Sequence, residues 1–316
     1  EPASTLDDVR AGHDASEFRS WICDENGCQV LKQFPEQGVD QAYFQDVLNN
    51  QVDRANWVYE EMWTYWKKKH PQFQLQDFRR HFSTSHCDLL EVYCSEGSQL
   101  TQQTSKLGLS AQRFSLRHGD LSTFQGRCKL YDVLWVLRPQ HIWTAPRCGP
   151  WSNWNRFNAS KSQELADRIM SERRAENVHL LLCDALFRVQ DWRGDFCHFH
   201  LEQPQGSELV YQREMETIVE DTFKAICDMC TAGRLKHPNS HDFLRKRTQI
   251  LTTSEIVWRT IQRSQCVGEH HHDSVAGSCK PLGQHRMAVS KFSELYTATF
   301  GHRVGRAIQC SCQVNE

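Results

Sequence analysis

The chain has 316 residues, 39% of them apolar and 24% charged, which excludes a disordered polymer and leaves length for one large domain or two smaller ones. No apolar run approaches the ~20 residues that a membrane span needs, so a globular protein with no membrane partner is expected. The formal net charge of −2 hides an asymmetry: residues 231–316 carry 12 Lys/Arg against 6 Asp/Glu, leaving 25 against 33 elsewhere, so a phosphate-facing surface is expected near the C-terminal end.

Residues 1–40 are polar and read as a loosely ordered arm around Cys23 and Cys28. The chain starts at Glu1, not Met, with no charged-then-apolar leader, as expected of a piece of something longer. From Phe44, the positions Val47, Leu48, Val52, Ala55, Val58, Met62 and Tyr65 recur at steps of three and four. That spacing predicts an amphipathic helix ending in Lys67–Lys69, within a helical extension over 41–84. Leu89–Cys94 reads as a strand, Ser95–Ser98 as a turn, and the stretch to Gly108 as a helix. Further short strands are expected at 133–137 and 141–144, with another apolar run at 178–183, an alternating strand at 197–201 and a strand at 250–253. Helices are expected at 160–176 and 208–230. Strands alternating with helices predict an α/β fold with a Rossmann-like sheet over 85–260, followed by a basic His/Cys-containing segment and closing helix over 261–316. In such sheets ligands sit beyond the C-terminal strand ends, so chemistry is sought after 94, 121, 144 and 201.

Two groups stand at those ends. Ala145-Pro146-Arg147-Cys148-Gly149-Pro150 holds a cysteine in a stiff turn, where a neighbouring Arg147 would favour the thiolate, the form that attacks carbon. Glu202 follows the strand at 197–201 and suits proton donation to a bound ring nitrogen; as an acid at the start of a helix it would instead cap. Arg245-Lys246-Arg247 leads into the strand at 250–253 and could hold a polar ligand edge or phosphate.

The order of these segments resembles the cytosine-5 DNA methyltransferases. Asp88-Leu89-Leu90 through Gly97 is similar to their first strand and cofactor turn, Gly119-Asp120-Leu121 to the segment whose acid meets the cofactor adenine, and Pro146-x-Cys148 to the loop carrying the nucleophile. Leu201-Glu202-Gln203 is similar to the segment whose acid contacts cytosine N3, and Arg245 to Gln249 falls where an Arg-containing strand would come. Tyr93 and Ser95 stand where glycines are expected. More narrowly, the motifs resemble divergent proteins of this type in algal and protist genomes, some of them encoded by mobile elements. The resemblance implies a class I methyltransferase sheet using S-adenosylmethionine on cytosine C5 in DNA, with a nuclear location. It implies Cys148 as nucleophile, Glu202 as the N3 acid, Arg245 and Arg247 beside them, and a cofactor site of Glu91, Cys94, Ser95, Gly97, Asp120 and Pro146.

One feature lies outside that resemblance. Cys266-x3-His270-x-His272 with Cys279 offers four soft and imidazole ligands within 14 residues, a candidate zinc site. Cys227-x2-Cys230 with His237 and His241 is a second, and Cys310 and Cys312 could contribute to either. The 14 cysteines, about half the density of a disulfide scaffold, point to reduced thiols and an intracellular protein. The alternative to methyl transfer is therefore a non-catalytic nucleic-acid-binding module of a mobile element, zinc-containing, with DNA ahead of RNA as partner.

Overall fold

The computed structural model describes residues 56–275, 278–281, 285, 287–289 and 294–313. The expected arm with Cys23 and Cys28, and positions 44–55 of the first expected helix, lie outside these residues. In chain order come α1 (Trp57–Lys69), α2 (Leu75–Phe82), β1 (Cys87–Val92), α3 (Gln99–Lys106), β2 (Ala111–Phe114), α4 (Phe124–Leu137), β3 (Pro139–Thr144), α5 (Trp154–Ala159), α6 (Gln163–Arg193) and β4 (His198–Pro204). Then follow α7 (Glu216–Glu220), β5 (Phe223–Asp228), α8 (Met229–Ala232), β6 (Phe243–Leu244), β7 (Arg247–Thr252), α9 (Glu255–Gln262), β8 (His272–Asp273), β9 (Ser278–Cys279), β10 (Met287–Ala288) and α10 (Ala298–Gln313).

Six strands form one sheet in the order β2-β1-β3-β4-β7-β5. β2, β1, β3 and β4 are mutually parallel, while β7 runs antiparallel to both β4 and β5. This is a mixed α/β sheet of generic Rossmann-like architecture. Alternation along the strands divides the core between the two faces. Leu90, Val92, Ile142 and Phe199 pack with residues of α1, α2, α4 and α6. Leu89, Trp143, Ala225 and Ile250 pack with α3, α9 and α10. The chain leaves β1 toward β2 and returns to β3 on the other side, so the strand order reverses between β1 and β3. A crevice is expected at the C-terminal ends of that pair.

Two close approaches set the layers. On α10, a Cβ at Gly301 would stand 2.5 Å from the Gln99 carbonyl and one at Gly305 2.9 Å from Thr104 Oγ1, so only glycine lets α10 lie against α3. On the opposite face Arg127 of α4 donates to both carboxylate oxygens of Glu61 on α1 at 2.7 and 2.8 Å, and the Tyr131 hydroxyl donates to the same group at 2.6 Å. Removing one partner of such a buried pair leaves an uncompensated charge, costing about 3–5 kcal/mol.

Three expectations from the sequence are corrected. Residues 133–137 end α4 rather than forming a strand; Arg138, at φ 45°, closes that helix and β3 starts at once. The run 178–183 lies in the middle of the 31-residue α6, where Leu180, Leu181, Leu182 and Cys183 are all buried, and periodicity cannot separate such a helix from a strand. The stretch 208–230 is not one helix but short turns, α7, β5 and the start of α8. The strands at 89–94, 141–144, 197–201 and 250–253 occur within a residue or three of their expected bounds.

Candidate functional site

The metal-ligating side chains that converge are Cys230, Cys266, His270 and His272, whose ligand atoms all lie within 4.8 Å of one another. Cys266 Sγ is 3.7 Å from His270 Nε2 and 3.4 Å from His272 Nε2. Tetrahedral zinc with Zn–S of ~2.3 Å and Zn–N of ~2.0–2.1 Å separates sulfur from nitrogen by about 3.6 Å. The spacing is that of a ligand set closed around one small ion.

The fold delivers these four from separate segments. Cys230 follows β5 directly, and Asp228 at the end of that strand accepts the Cys266 backbone N–H at 2.8 Å, lacing the loop after α9 to the sheet. Asp228 also donates its own N–H to the Ser264 carbonyl at 3.0 Å. His272 sits in β8, paired in parallel with Phe243 of β6, and the Phe243 ring packs 4.2 Å from that of His270. Gly268, at φ +87°, turns its N–H onto Cys266 Sγ at 3.4 Å. A donor so placed stabilises thiolate, and the left-handed turn favours glycine. Burial, with Cys266 alongside, pushes the Cys230 thiol up to about 11. Cys279 is not the fourth member. It is buried in β9 among the core residues under α10. Cys227 is likewise core, His237 faces Asp273 at 3.6 Å, and Cys312 Sγ lies 3.8 Å from Asp88.

The second group lines the strand ends. Ala145 N–H reaches the Val92 carbonyl at 3.4 Å, and Gln203 Nε2 donates to the Pro146 carbonyl at 2.8 Å, so the loop after β3 is pinned to both neighbouring strands. Cys148 is half-buried, and burial pushes its thiol up, opposed by Lys246. Glu202 is buried, and burial raises its carboxyl too, again opposed by Lys246. Both groups share Lys246 and Glu294 as charged neighbours, and Glu202 adds to the charge around Cys148. The Tyr296 hydroxyl donates to Glu202 Oε2 at 3.4 Å and accepts from Trp143 Nε1 at 2.9 Å. Lys246 belongs to the cationic run 245–247 read from the sequence; Tyr296 carried no signal there. Arg147, expected beside the thiolate, instead pairs with Glu176 at 3.2 Å. Arg245 and Arg247 pair with Asp228 at 3.4 and 3.1 Å.

At the turn after β1, Glu91 is consumed internally: it accepts from Ser98 Oγ at 2.7 Å and from the Thr101 N–H at 3.2 Å, capping α3. Tyr93 takes φ +64°, the left-handed conformation usual for glycine, and its hydroxyl meets His179 Nδ1 at 3.1 Å. Burial pushes the Cys94 thiol up to about 12. Ser95 accepts the Ser98 N–H at 3.1 Å, and the space above Gly97 is open, with nothing within 4 Å of an added Cβ. Asp120 Oδ1 accepts from the Ser122 N–H and hydroxyl at 2.9 and 2.7 Å, closing its own turn. That turn lies against Gly126, where a Cβ would fall 1.8 Å from the Asp120 carbonyl oxygen. His179, also unmarked in the sequence, lies within charge range of Asp120.

No family model matches this chain, and neither a curated protein nor a solved structure matches it.

Proposed function

We propose that this chain is a zinc-containing nucleic-acid-binding module on a Rossmann-like scaffold. The observation that carries the reading is the closed set of Cys230, Cys266, His270 and His272. Two sulfurs and two imidazoles suit tetrahedral zinc with every position filled by protein, which is a structural site and not a catalytic one. In the same stretch of chain, 230–280, Arg234, Lys236 and Lys280 are exposed, cations available to meet phosphate. The groups expected to activate chemistry are engaged elsewhere: Arg147 with Glu176, Arg245 and Arg247 with Asp228, Glu91 with its helix cap. Twelve described cysteines are free thiols, which fits a reducing compartment, and a DNA partner would place the protein in the nucleus. No helix among the described residues is long and apolar enough to cross a membrane.

The test is metal analysis of protein purified without chelator, joined to oligonucleotide binding over a salt series. One zinc per chain is expected, with binding that weakens steeply with salt and weakens further in Lys236→Glu/Lys280→Glu. Protein without metal and without salt-dependent binding would overturn the reading.

A second reading, methyl transfer to cytosine C5, is favoured by Cys148 and Glu202 sharing the same charged neighbours. A carboxyl that keeps its proton suits donation to a ring nitrogen while the cysteine sulfur adds to carbon. S-adenosylmethionine, when bound, would supply the methyl group. The left-handed Tyr93 and the open space above Gly97 fit a ligand close to residues 94–98, with Asp120 nearby. Calorimetry with the cofactor separates the readings: no heat at millimolar concentration removes the second, and binding abolished by Gly97→Trp supports it.

A further inference from the structure

We propose that the loop and short helix after β3, together with the end of the segment after β4, form a stacking platform for unpaired bases of a single-stranded nucleic acid. The inference rests on the nucleic-acid reading above and specifies the form of partner. Trp154 and Phe157 on α5 are 72% and 57% exposed, and Tyr211, beyond β4, is 72% exposed. Trp154 and Phe157 are neighbours, with ring centroids 6.5 Å apart, and contiguous exposed apolar surface rimmed by polar groups marks interaction sites.

The backbone beneath the rings is held firmly. Asn155 Nδ2 donates to the Gly149 and Pro150 carbonyls at 3.0 and 2.9 Å, and Trp154 N–H reaches Ser152 Oγ at 3.3 Å. Arg173 donates to the Pro150 carbonyl at 3.0 Å, lies 5.2 Å over the buried Trp151 ring, and reaches on to Glu208. Gly206, at φ +80°, lets Asn153 approach to within 2.5 Å of where a Cβ would stand, joining the loop after β4 to the one after β3. Polar groups are thus spent on fixing a surface whose rings face solvent, which lowers the ordering cost of binding.

Charge selects the occupant. No acidic residue occurs between Asp132 and Glu164, and Arg156 and Lys161 alternate along the chain with Trp154 and Phe157. Lys161 Nζ sits 4.3 Å over the Phe157 ring. Cations alternating with exposed rings suit a polyanion that carries flat apolar faces, and base–aromatic stacking tolerates any base. The Trp154 and Phe157 rings stand at 75° with centroids 6.5 Å apart, so each offers its own face. A duplex keeps its base faces stacked inside and cannot use them.

The experiment is fluorescence anisotropy of the full chain with a labelled single-stranded oligonucleotide and with the matching duplex, at fixed salt. Trp154→Ala should weaken single-strand binding about 10-fold, as expected for one lost stack, with duplex binding unchanged; Tyr211→Ala and Phe157→Ala should follow in the same direction, and Trp154→Phe should restore most of the loss. Unchanged melting curves establish that the variants fold. Wild type that binds neither probe would defeat the nucleic-acid reading together with the platform. Wild type that binds single strands equally well without these rings defeats the platform alone. Variants that alter only sedimentation would make the patch a contact between copies and overturn the proposal.

Discussion

The strand-end cleft and the metal centre are both built from residues distant in sequence, but they are held by different forces. Cys148 and Glu202 sit at the ends of β3 and β4, whose parallel register and buried residues such as Ile142, Phe199 and Leu201 place them before any ligand arrives. Cys266, His270 and His272 ride on a loop and two-residue strands, fastened chiefly by Asp228 and the β6–β8 pairing. The first arrangement is set by strands of the core. The second gathers two thiols and two imidazoles on segments with little core of their own, where a bound cation would hold them together.

The largest effect that would test this contrast is metal loss. Cys230→Ser or prolonged chelation should abolish zinc binding and lower the melting temperature by about 5–10 °C, while Cys279→Ser should keep a full zinc stoichiometry. Equal zinc loss in both variants would erase the distinction between ligand and core cysteine. Next comes the turn between β2 and α4: Gly126→Ala drives a Cβ into the Asp120 carbonyl and should cost about 2 kcal/mol in urea denaturation without altering metal content.

A smaller effect concerns pH. Burial raises the Glu202 carboxyl, so the folded chain keeps a proton that the unfolded chain releases once pH passes the ordinary glutamate value. The contribution of this residue to stability is complete below that value and declines as pH rises. Glu202→Gln should therefore melt higher than wild type at pH 8 and no higher at pH 4; an equal difference at both would contradict the raised carboxyl. Smallest is thiol reactivity. With its thiol pushed up by burial and eased down by Lys246, Cys148 should be alkylated at pH 8 more slowly than the exposed Cys310, and Lys246→Met should slow it further. Mass-resolved alkylation rates decide this.

Most sheet strands were legible because they are short apolar runs with clear punctuation, such as Gly97 after β1 and Pro146 after β3. β5 was hidden inside an apparent helix, since Phe223–Asp228 is an edge strand with only one face buried and no bounding glycine or proline. Three of the four clustered metal ligands could be read from Cys266, His270 and His272. Along the chain Cys230 is adjacent to Cys227, and only the meeting of β5 with the loop after α9 brings it to Cys266.

The sequence by itself determined the α/β alternation, the end of α1 in Lys67–Lys69, and three closely spaced metal ligands. These depend on local propensity and periodicity, which act within a few turns of chain. Tertiary structure alone decided that Cys230 joins the metal set and Cys279 the core, that Arg147 answers Glu176, and that Lys246 and Tyr296 stand beside Glu202. Each of those outcomes requires segments 29 or more residues apart to meet, and such meetings are set by the strand order and by which sheet face each helix covers, quantities to which spacing along the chain is blind.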